Sequence, residues 1–489
     1  MSMKSSLALW NHMFEHDPLS DMSTIACEED ISTHTEASVQ GMPIIQIEKR
    51  ALAPDHFPAH FEGGLIVKYQ IKDATTDARY TGAPKTLAAA QRATFATSAW
   101  CMFSNVRLLC NNVEKQNIQN PGYVRDVLGR IEEPESNDAR AELDLFYPPQ
   151  YGGYRNVIDN LDIAGAAYAG ATANAYWNGI EVGTAGPYAS STGDVYNTTY
   201  DKSFQKRLER TQQQDASGWS YVYLRLSDVL TFLRIKKPLK GVQMQLELTV
   251  NSDTNNMFIK AAARNAAKLV IDKVQWVVPV LKPHLDLYTK LQSRLMSEPV
   301  PLEYQGVYCQ VLKNLTSPLQ TNIMSNTKRP RYVIVALMDG VRHTSQNYNS
   351  YIYDVPTAIN NAQIKIGSQF YPSKFYPSSN DNFLRLYKIF LEASNSLANK
   401  RNLSPISFED WKQTSGFLYF DCSKSNSAYE NLNDSQIELN LDITEVNWAA
   451  AANKFSAVVL VISDEYYSMQ EAQGIATLEK TPAPKFALL

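Results

Sequence analysis

The chain has 489 residues, more than one hydrophobic core spans, so two domains are expected. Its composition is globular, 44% hydrophobic and 20% charged, and the net charge of −4 excludes a protein that coats nucleic acid, since neutralising phosphates takes a surplus of Lys and Arg. The five cysteines, Cys27, Cys101, Cys110, Cys309 and Cys422, are irregularly spaced without a CxxC; they indicate neither a disulfide framework nor a zinc site, and read as small buried hydrophobes in a reducing compartment.

Residues 1–40 have no clear period and read as an N-terminal arm. The opening "MSMKSSLALWNHMFEHD" has too short an apolar run for a signal peptide, and His12, Glu15 and His16 interrupt it. The longest apolar run, "AVVLVI" (457–462), is strand-length, so a soluble intracellular product is expected. The first clear hairpin is "FSNVRLLCNNVEKQ" (103–116), a strand, a turn at Asn111–Asn112 and an extended continuation. In "PGYVRDVLGRIEE" (121–133), Tyr123, Val124, Val127, Leu128 and Ile131 form the stripe of a helix lying on a core. "EEPESNDARAE" (132–142) reads as a solvated loop and "LDLFYP" (143–148) as a strand. Residues of about 150–217 are rich in Gly, Ala, Tyr, Asn, Ser and Thr without a sustained period; their aromatics and low charge fit a large ordered surface loop.

Beyond the loop, "VQMQLELTV" (242–250) alternates with period two, and "KLVIDKVQWVVPVL" (268–281) is Val-rich and better buried. A boundary is placed near Pro283–Ser297. The second half offers "RYVIVALM" (331–338), then "INNAQIKIGSQFYP" (359–372), a hairpin turning at Gly367–Ser368. A helix follows in "NFLRLYKIFLEAS" (382–394), with Phe383, Leu384, Tyr387, Phe390 and Leu391 on one stripe. Strands at "GFLYFDC" (416–422), "QIELNLDI" (436–443) and "FSAVVLVI" (455–462) complete it, and 470–489 reads as a tail. Hairpin, helix, aromatic strand, alternating strand and Val-rich strand thus occur twice in the same order. The hairpins are offset by 363 − 106 = 257 residues and the helices by 382 − 121 = 261. Duplication of a β-sandwich leaves this trace, because a sandwich is preserved by pattern rather than identity.

Chemistry-bearing motifs are missing. There is no GxxxxGK[ST], GxGxxG after a strand, GxSxG or HExxH. His56 and His60 are spaced for a metal on a helix, but Pro58 between them breaks that helix. Cys101 and Cys110 have no base or electropositive neighbour in sequence to activate them. Asp442 and Glu445 read as solvated acids rather than a glycosidase pair, and Asp421–Cys422 as a strand end. The aromatic and basic residues of 374–388 suit base stacking, but helical periodicity assigns those aromatics to the core. No catalytic, cofactor-binding or metal-binding residue is assigned, and the chain is not read as an enzyme.

The strings "KRPRYVIVALMDG", "AQIKIGSQFYPSKFY", "NFLRLYKIFLEAS", "GFLYFDCS" and "SQIELNLDI" resemble the C-terminal half of double jelly-roll major capsid proteins of the Polinton/Maverick, adintovirus and virophage group. "TSAWCMFSNVRLLCNNVEKQNIQNPGYVRDVLGRI" and "WSYVYLRLSDVLTFLRIKKPLKGVQMQLELTV" resemble the N-terminal half, so the likeness runs from about 60 to 467, omitting 150–217. It implies a mainly all-β fold of two tandem eight-stranded jelly-roll β-sandwiches with a few short helices and a long surface-loop insertion. The expected division is an arm (1–40), a first jelly roll (41–283), a second (284–469) and a tail (470–489). By the same resemblance the protein forms pseudo-hexameric homotrimers that tile an icosahedral DNA-virus capsid. Its partners are then neighbouring capsomer trimers, penton and minor capsid proteins, and an internal membrane where one exists, with no specific nucleic-acid binding. The virion is the expected location, with synthesis and assembly inside the host cell. The alternatives are a minor capsid or attachment protein binding host glycans through the Tyr/Asn-rich loop, and a carbohydrate-active enzyme on a β-sandwich.

Overall fold

A computed structural model describes residues 22–28, 34–35, 44–48, 57–79, 93–132, 142–147, 218–237, 241–260, 266–283, 299–323, 330–344, 349–353, 355–379, 383–397, 408–422, 436–445, 454–472 and 475–480, with isolated positions between them. The first half of the chain supplies eight principal strands: β1 (Met22–Glu28), β2 (Ile44–Glu48), β3 (Gly64–Asp73), β4 (Phe103–Cys110), β5 (Val113–Gln119), β6 (Ser220–Arg225), β7 (Met244–Val250) and β8 (Ala267–Pro283). They pair as two sheets in the orders β1-β8-β3-β6 and β2-β7-β4-β5.

The second half supplies β9 (Val300–Leu315), β10 (Leu319–Ile323), β11 (Pro330–Asp339), β12 (Ala358–Ile366), β13 (Gln369–Tyr371), β14 (Phe417–Asp421), β15 (Ile437–Thr444) and β16 (Phe455–Ala472). Their sheets run β9-β16-β11-β14 and β10-β15-β12-β13. Adding eight to every strand number of the first pair of sheets generates the second. The fold is mainly β, one jelly-roll topology written twice, and no principal strand of one half pairs with a strand of the other.

Local sequence explains the pairings. Asn111 and Asn112 link β4 to β5 with φ of 51° and 61°, the two positive values that a type I′ hairpin needs and that Asn tolerates. Gly367 takes φ 60° at the first central position of the β12–β13 turn, the requirement of a II′ turn. The turns themselves are offset by 367 − 111 = 256 residues. In β7, Met244, Leu246 and Leu248 are buried and alternate with half-buried polar residues; in β15, Ile437, Leu439, Leu441 and Ile443 do the same. Val333 to Met338 of β11 are all buried, each side chain contributing about 1.5–3 kcal/mol by its removal from water, Ala336 less.

Four expectations are modified. "LDLFYP" is not a strand: residues 142–144 make a helical turn and Leu145 takes φ 62°. The buried Asp144 carboxylate accepts from Phe146 N (3.2 Å) and from Arg125 Nε (2.6 Å), and these bonds outweigh the strand preference of its aromatic neighbours. The place in the repeat given to that segment is taken by β6. Within the stretch read as an arm, Met22–Glu28 is a strand on the edge of β8, although "MSTIACE" offers little period-two contrast. Within the stretch read as a tail, β17 (Ile475–Lys480) folds back along the end of β16. Of the second helix, α2 (Leu384–Leu397), Phe390 is buried and Tyr387 and Leu391 half-buried, but Leu384 is 62% exposed at its first residue. The loop of about 150–217 lies outside the described residues apart from 207, 210, 211 and 214.

Asn112 is exposed and its side chain is not needed for packing, so its positive φ isolates a backbone effect. Asn112→Ala is expected to destabilise the protein by about 1 kcal/mol and Asn112→Gly by a few tenths at most, read as shifts in the urea midpoint.

Candidate functional site

The site is the seam between the two sandwiches, and it is built from the helix α1 (Pro121–Glu132). Pro121 opens α1 directly after β5, where a missing N–H costs nothing. Tyr123, Val124, Val127, Leu128 and Ile131 form the apolar stripe foreseen from periodicity. The rest of the helix is equally enclosed, including Arg125, Asp126 and Arg130. Amphipathic periodicity predicts a wet polar face; here that face meets the second sandwich and the 142–147 turn instead. Two glycines make the fit possible. A Cβ on Gly129 would lie 2.6 Å from the Phe146 ring, and one on Gly122 would lie 2.7 Å from the Tyr351 hydroxyl and 3.2 Å from the Cys101 backbone.

The buried charges are paired in two clusters. Arg125 donates to Asp144 (2.6 Å), has Asp228 at 3.8 Å, and stacks 4.1 Å from the Phe146 ring centre. Asp126 accepts from the Thr97 hydroxyl and pairs with Arg130 one helical turn on. Arg130 then crosses the seam: Nη1 donates to Thr414 O (2.6 Å) and Ser415 Oγ (3.0 Å), and Nη2 to Tyr351 O (2.6 Å). The planar fork of a guanidinium suits this task, reaching a carboxylate on one side and two carbonyls on the other.

Around this bond the seam is aromatic and neutral. Tyr123 stacks on Tyr351 with centres 4.4 Å apart, and Cys101 Sγ lies 3.2 Å from the Tyr351 hydroxyl. Burial raises the pKa of Tyr123, Tyr351 and Tyr353 well above the usual phenol value, so all three are protonated at neutral pH. Further along, the end strand β5 meets β9, β16 and β17. Lys115 Nζ donates to Leu478 O (3.0 Å) and sits 4.7 Å over the Tyr467 ring, while the Tyr304 hydroxyl donates to Lys115 O (3.2 Å). Phe232 packs edge-on against Tyr304 and Tyr467, at 5.2 and 6.3 Å between centres. Lys237 Nζ donates to Pro301 O (2.6 Å), and burial brings its pKa down to about 8 against the opposing pull of Glu303. His343 hydrogen-bonds Asn256 Oδ1 through Nδ1 (2.7 Å); burial first, then Lys313 and Arg342, lower its pKa to about 4, with Asp253 opposing.

Among the described residues, the groups considered for chemistry have structural places. Burial pushes the Cys101 thiol up to about 11 and the Cys110 and Cys422 thiols up to about 12, and raises Cys309 as well, so none is a thiolate at neutral pH. Glu445 is buried and accepts from Thr357 N (2.8 Å) and Oγ1 (3.0 Å). Asp442 accepts from Ser317 Oγ (3.2 Å). His60 is buried, and the side chains of Cys27 and His56 lie outside the described residues. Among the described residues no group of three His, Cys, Asp or Glu is placed to hold a metal ion. No described helix is long and apolar enough to cross a membrane. The structure therefore brings together Arg125, Asp126 and Arg130, which sequence reasoning passed over; the signal was the i,i+4 pair Asp126–Arg130 in a helix already rich in apolar residues.

The double jelly roll-like domain family model matches residues 211–466, more than half of the chain, and the protein belongs to that family. No curated protein sequence matches it. Among solved structures, a chain from the cryo-EM structure of the Sputnik virophage aligns with a TM-score of 0.56 at 12% identity, covering 95% of this chain and 89% of that one. The mavirus major capsid protein aligns with a TM-score of 0.47 at 12% identity (95% and 91% covered), and the Faustovirus major capsid protein with 0.43 at 8% (91% and 89%). At such identity the Sputnik likeness is one of fold.

Two predictions follow from the seam's buried groups. Arg130→Met leaves Asp126 buried without its cation and removes three bonds to the second sandwich; a loss of about 3–5 kcal/mol in unfolding free energy is expected by chemical denaturation, larger than for Asp126→Asn with Arg130 retained. Because folding holds the His343 pKa below its unfolded value, the folded state binds fewer protons than the unfolded one between pH 6.5 and about 4. The stabilisation is full above pH 6.5 and is lost as pH falls toward 4, on the order of 3 kcal/mol in all. Midpoints measured across this window should fall less steeply for His343→Gln than for the unchanged protein.

Proposed function

We propose that the protein is a major capsid protein whose pseudo-hexameric trimers tile an icosahedral virus shell. The observation that carries this reading is the doubled topology: two eight-stranded sandwiches on one chain, fixed side by side by a buried seam, in a family defined by that doubling. The fold match to a chain of a virophage particle over 95% of this protein's length supports it. So does the chemistry of the seam, whose thiols and phenols are held protonated and whose buried acids are bonded internally, as suits a building block that catalyses no reaction. In this reading the two jelly rolls divide within 284–297. The partners are neighbouring trimers with penton and minor capsid proteins, in a virion assembled within the host cell.

Negative-stain electron microscopy of the purified protein tests the reading. Hexagon-outlined particles of three chains, or closed shells built from them, are expected. Monomers or dimers without that outline, over a range of protein and salt concentrations, would overturn it.

A further inference from the structure

The second sandwich carries a groove between the strand β14, the first turns of α2 and the segment 372–376 that follows β13. It holds about 530 Å³ of space that opens to solvent, and Phe375, Leu386, Ile389 and Leu418 give it an apolar lining. Strand β14 is the last of its sheet, so its outer side has no strand partner. Cys422 N donates to Arg331 O of β11 (2.9 Å). Antiparallel alternation then turns the N–H and C=O of Leu418 and Phe420 toward β11 and those of Tyr419 away from it. All three residues line the groove. An edge of this kind accepts an extended segment of another chain by backbone pairing.

The rim of the groove is cationic. Arg385, the second residue of α2, lies 4.0 Å from the ring centre of Tyr376, and Lys374 lies 5.2 Å from the same ring. Both cations are exposed, and among the described residues neither is paired with a carboxylate. Lys388, further along α2, shows the contrast, since it pairs with Glu392 at 3.4 Å. Tyr376 is 47% and Leu384 62% exposed, so large apolar side chains stand beside the unpaired charges. An apolar lining alone suits many occupants; two unpaired cations at its rim select one that brings negative charge.

We propose that this groove docks a short extended segment of a partner protein, which pairs with the free edge of β14 and sets an aliphatic or aromatic side chain, flanked by Asp or Glu, among Phe375, Leu386 and Leu418. The flanking carboxylates pair with Arg385 and Lys374, whose charges otherwise meet only the face of the Tyr376 ring. Backbone pairing sets the direction of the segment, its apolar side chain supplies affinity, and charge selects acidic sequences over basic ones. An anionic lipid would satisfy the cations and the apolar lining but leave the outward backbone groups of Tyr419 unmet, which favours a peptide. The proposal stands independently of the capsid reading, since it names a surface for a different protein rather than for a second copy of this chain.

Labelled octapeptides carrying Phe, Leu, Ile or Val between two aspartates, and counterparts with lysine for aspartate, are titrated with the full chain by fluorescence polarisation. At least one acidic peptide is expected to bind about tenfold or more tightly than its lysine counterpart. Residue-resolved hydrogen exchange should show the Tyr419 amide protected in that complex. Lys374→Glu/Arg385→Glu, at two exposed positions, should reverse the charge preference, and Lys388→Glu should leave it unchanged. If the double variant fails to fold, the exchange result on the unchanged protein decides alone. No binding of any acidic peptide at about 1 mM, equal binding of both charge types, or protection away from β14 overturns the proposal. So does binding of phosphatidylserine vesicles, lost in the double variant, where no peptide binds; the occupant is then a lipid surface. Each of these outcomes leaves the particles seen by electron microscopy, and with them the capsid reading, untouched.

Discussion

The end strand β5 sets the constraint on which the rest of the molecule depends. A strand that ends a sheet exposes backbone N–H and C=O groups and invites indiscriminate pairing. This protein answers not by adding another strand but by laying a second sandwich against the edge, with side chains bonding to backbone in both directions: Tyr304 to Lys115 O, and Lys115 to Leu478 O. The contact covers part of the edge without continuing the sheet, so the two sandwiches stay separate in topology while sharing one interface. Helix α1, which begins two residues after β5 ends, then fixes the orientation. Its Arg130 reaches two carbonyls that only the second sandwich can place there. Apolar packing alone tolerates sliding; a guanidinium already bound to Asp126 and aimed at fixed carbonyls does not.

Much of this was legible in the sequence, and the reasons differ by element. Strands β7 and β15 announce themselves because one face is buried and the other wet, which writes a period of two into the residues. The hairpin turns were legible because positive φ restricts the choice to Asn and Gly. Strand β1 was not, since an edge strand is specified by its partner β8 and its own residues alternate weakly. Nor was the 142–147 turn, where Leu145, Phe146 and Tyr147 have strand character but the ion pair from Asp144 to Arg125 decides the geometry. The seam was the least legible part. Arg125, Asp126 and Arg130 look identical in sequence to the polar face of a surface helix, and only the position of the second sandwich makes them buried. Periodicity reports that a face is polar, not what it meets.

The duplication explains why two halves with few shared residues adopt one topology. Asn111–Asn112 and Gly367–Ser368 solve the same turn with different chemistry. The charged helix α1 and the aromatic cluster of Tyr387, Phe390 and Trp411 around α2 fill the connection after corresponding hairpins in different ways. What persists is the order of buried faces; what diverges is the surface each sandwich turns outward. Divergence of that kind matches the different surroundings of the two sandwiches: Lys115 of β5 is held against the second sandwich, whereas Phe370 of β13 is exposed.

Covalent linkage gives the two kinds of contact different energetic needs. Within the chain, the second sandwich is held near the first at a high effective concentration, so the seam can include buried ionic groups whose desolvation nearly cancels their attraction. Such a contact adds orientation rather than affinity. A contact between separate chains has to overcome lost translational and rotational freedom, and is best made by a few large apolar side chains at an exposed edge. The internal seam is of the first kind: Arg130 and Asp126 are enclosed there and paired with each other. The relative orientation of the two sandwiches is thus set within the chain itself, by bonds to which covalent linkage leaves direction rather than affinity as the task.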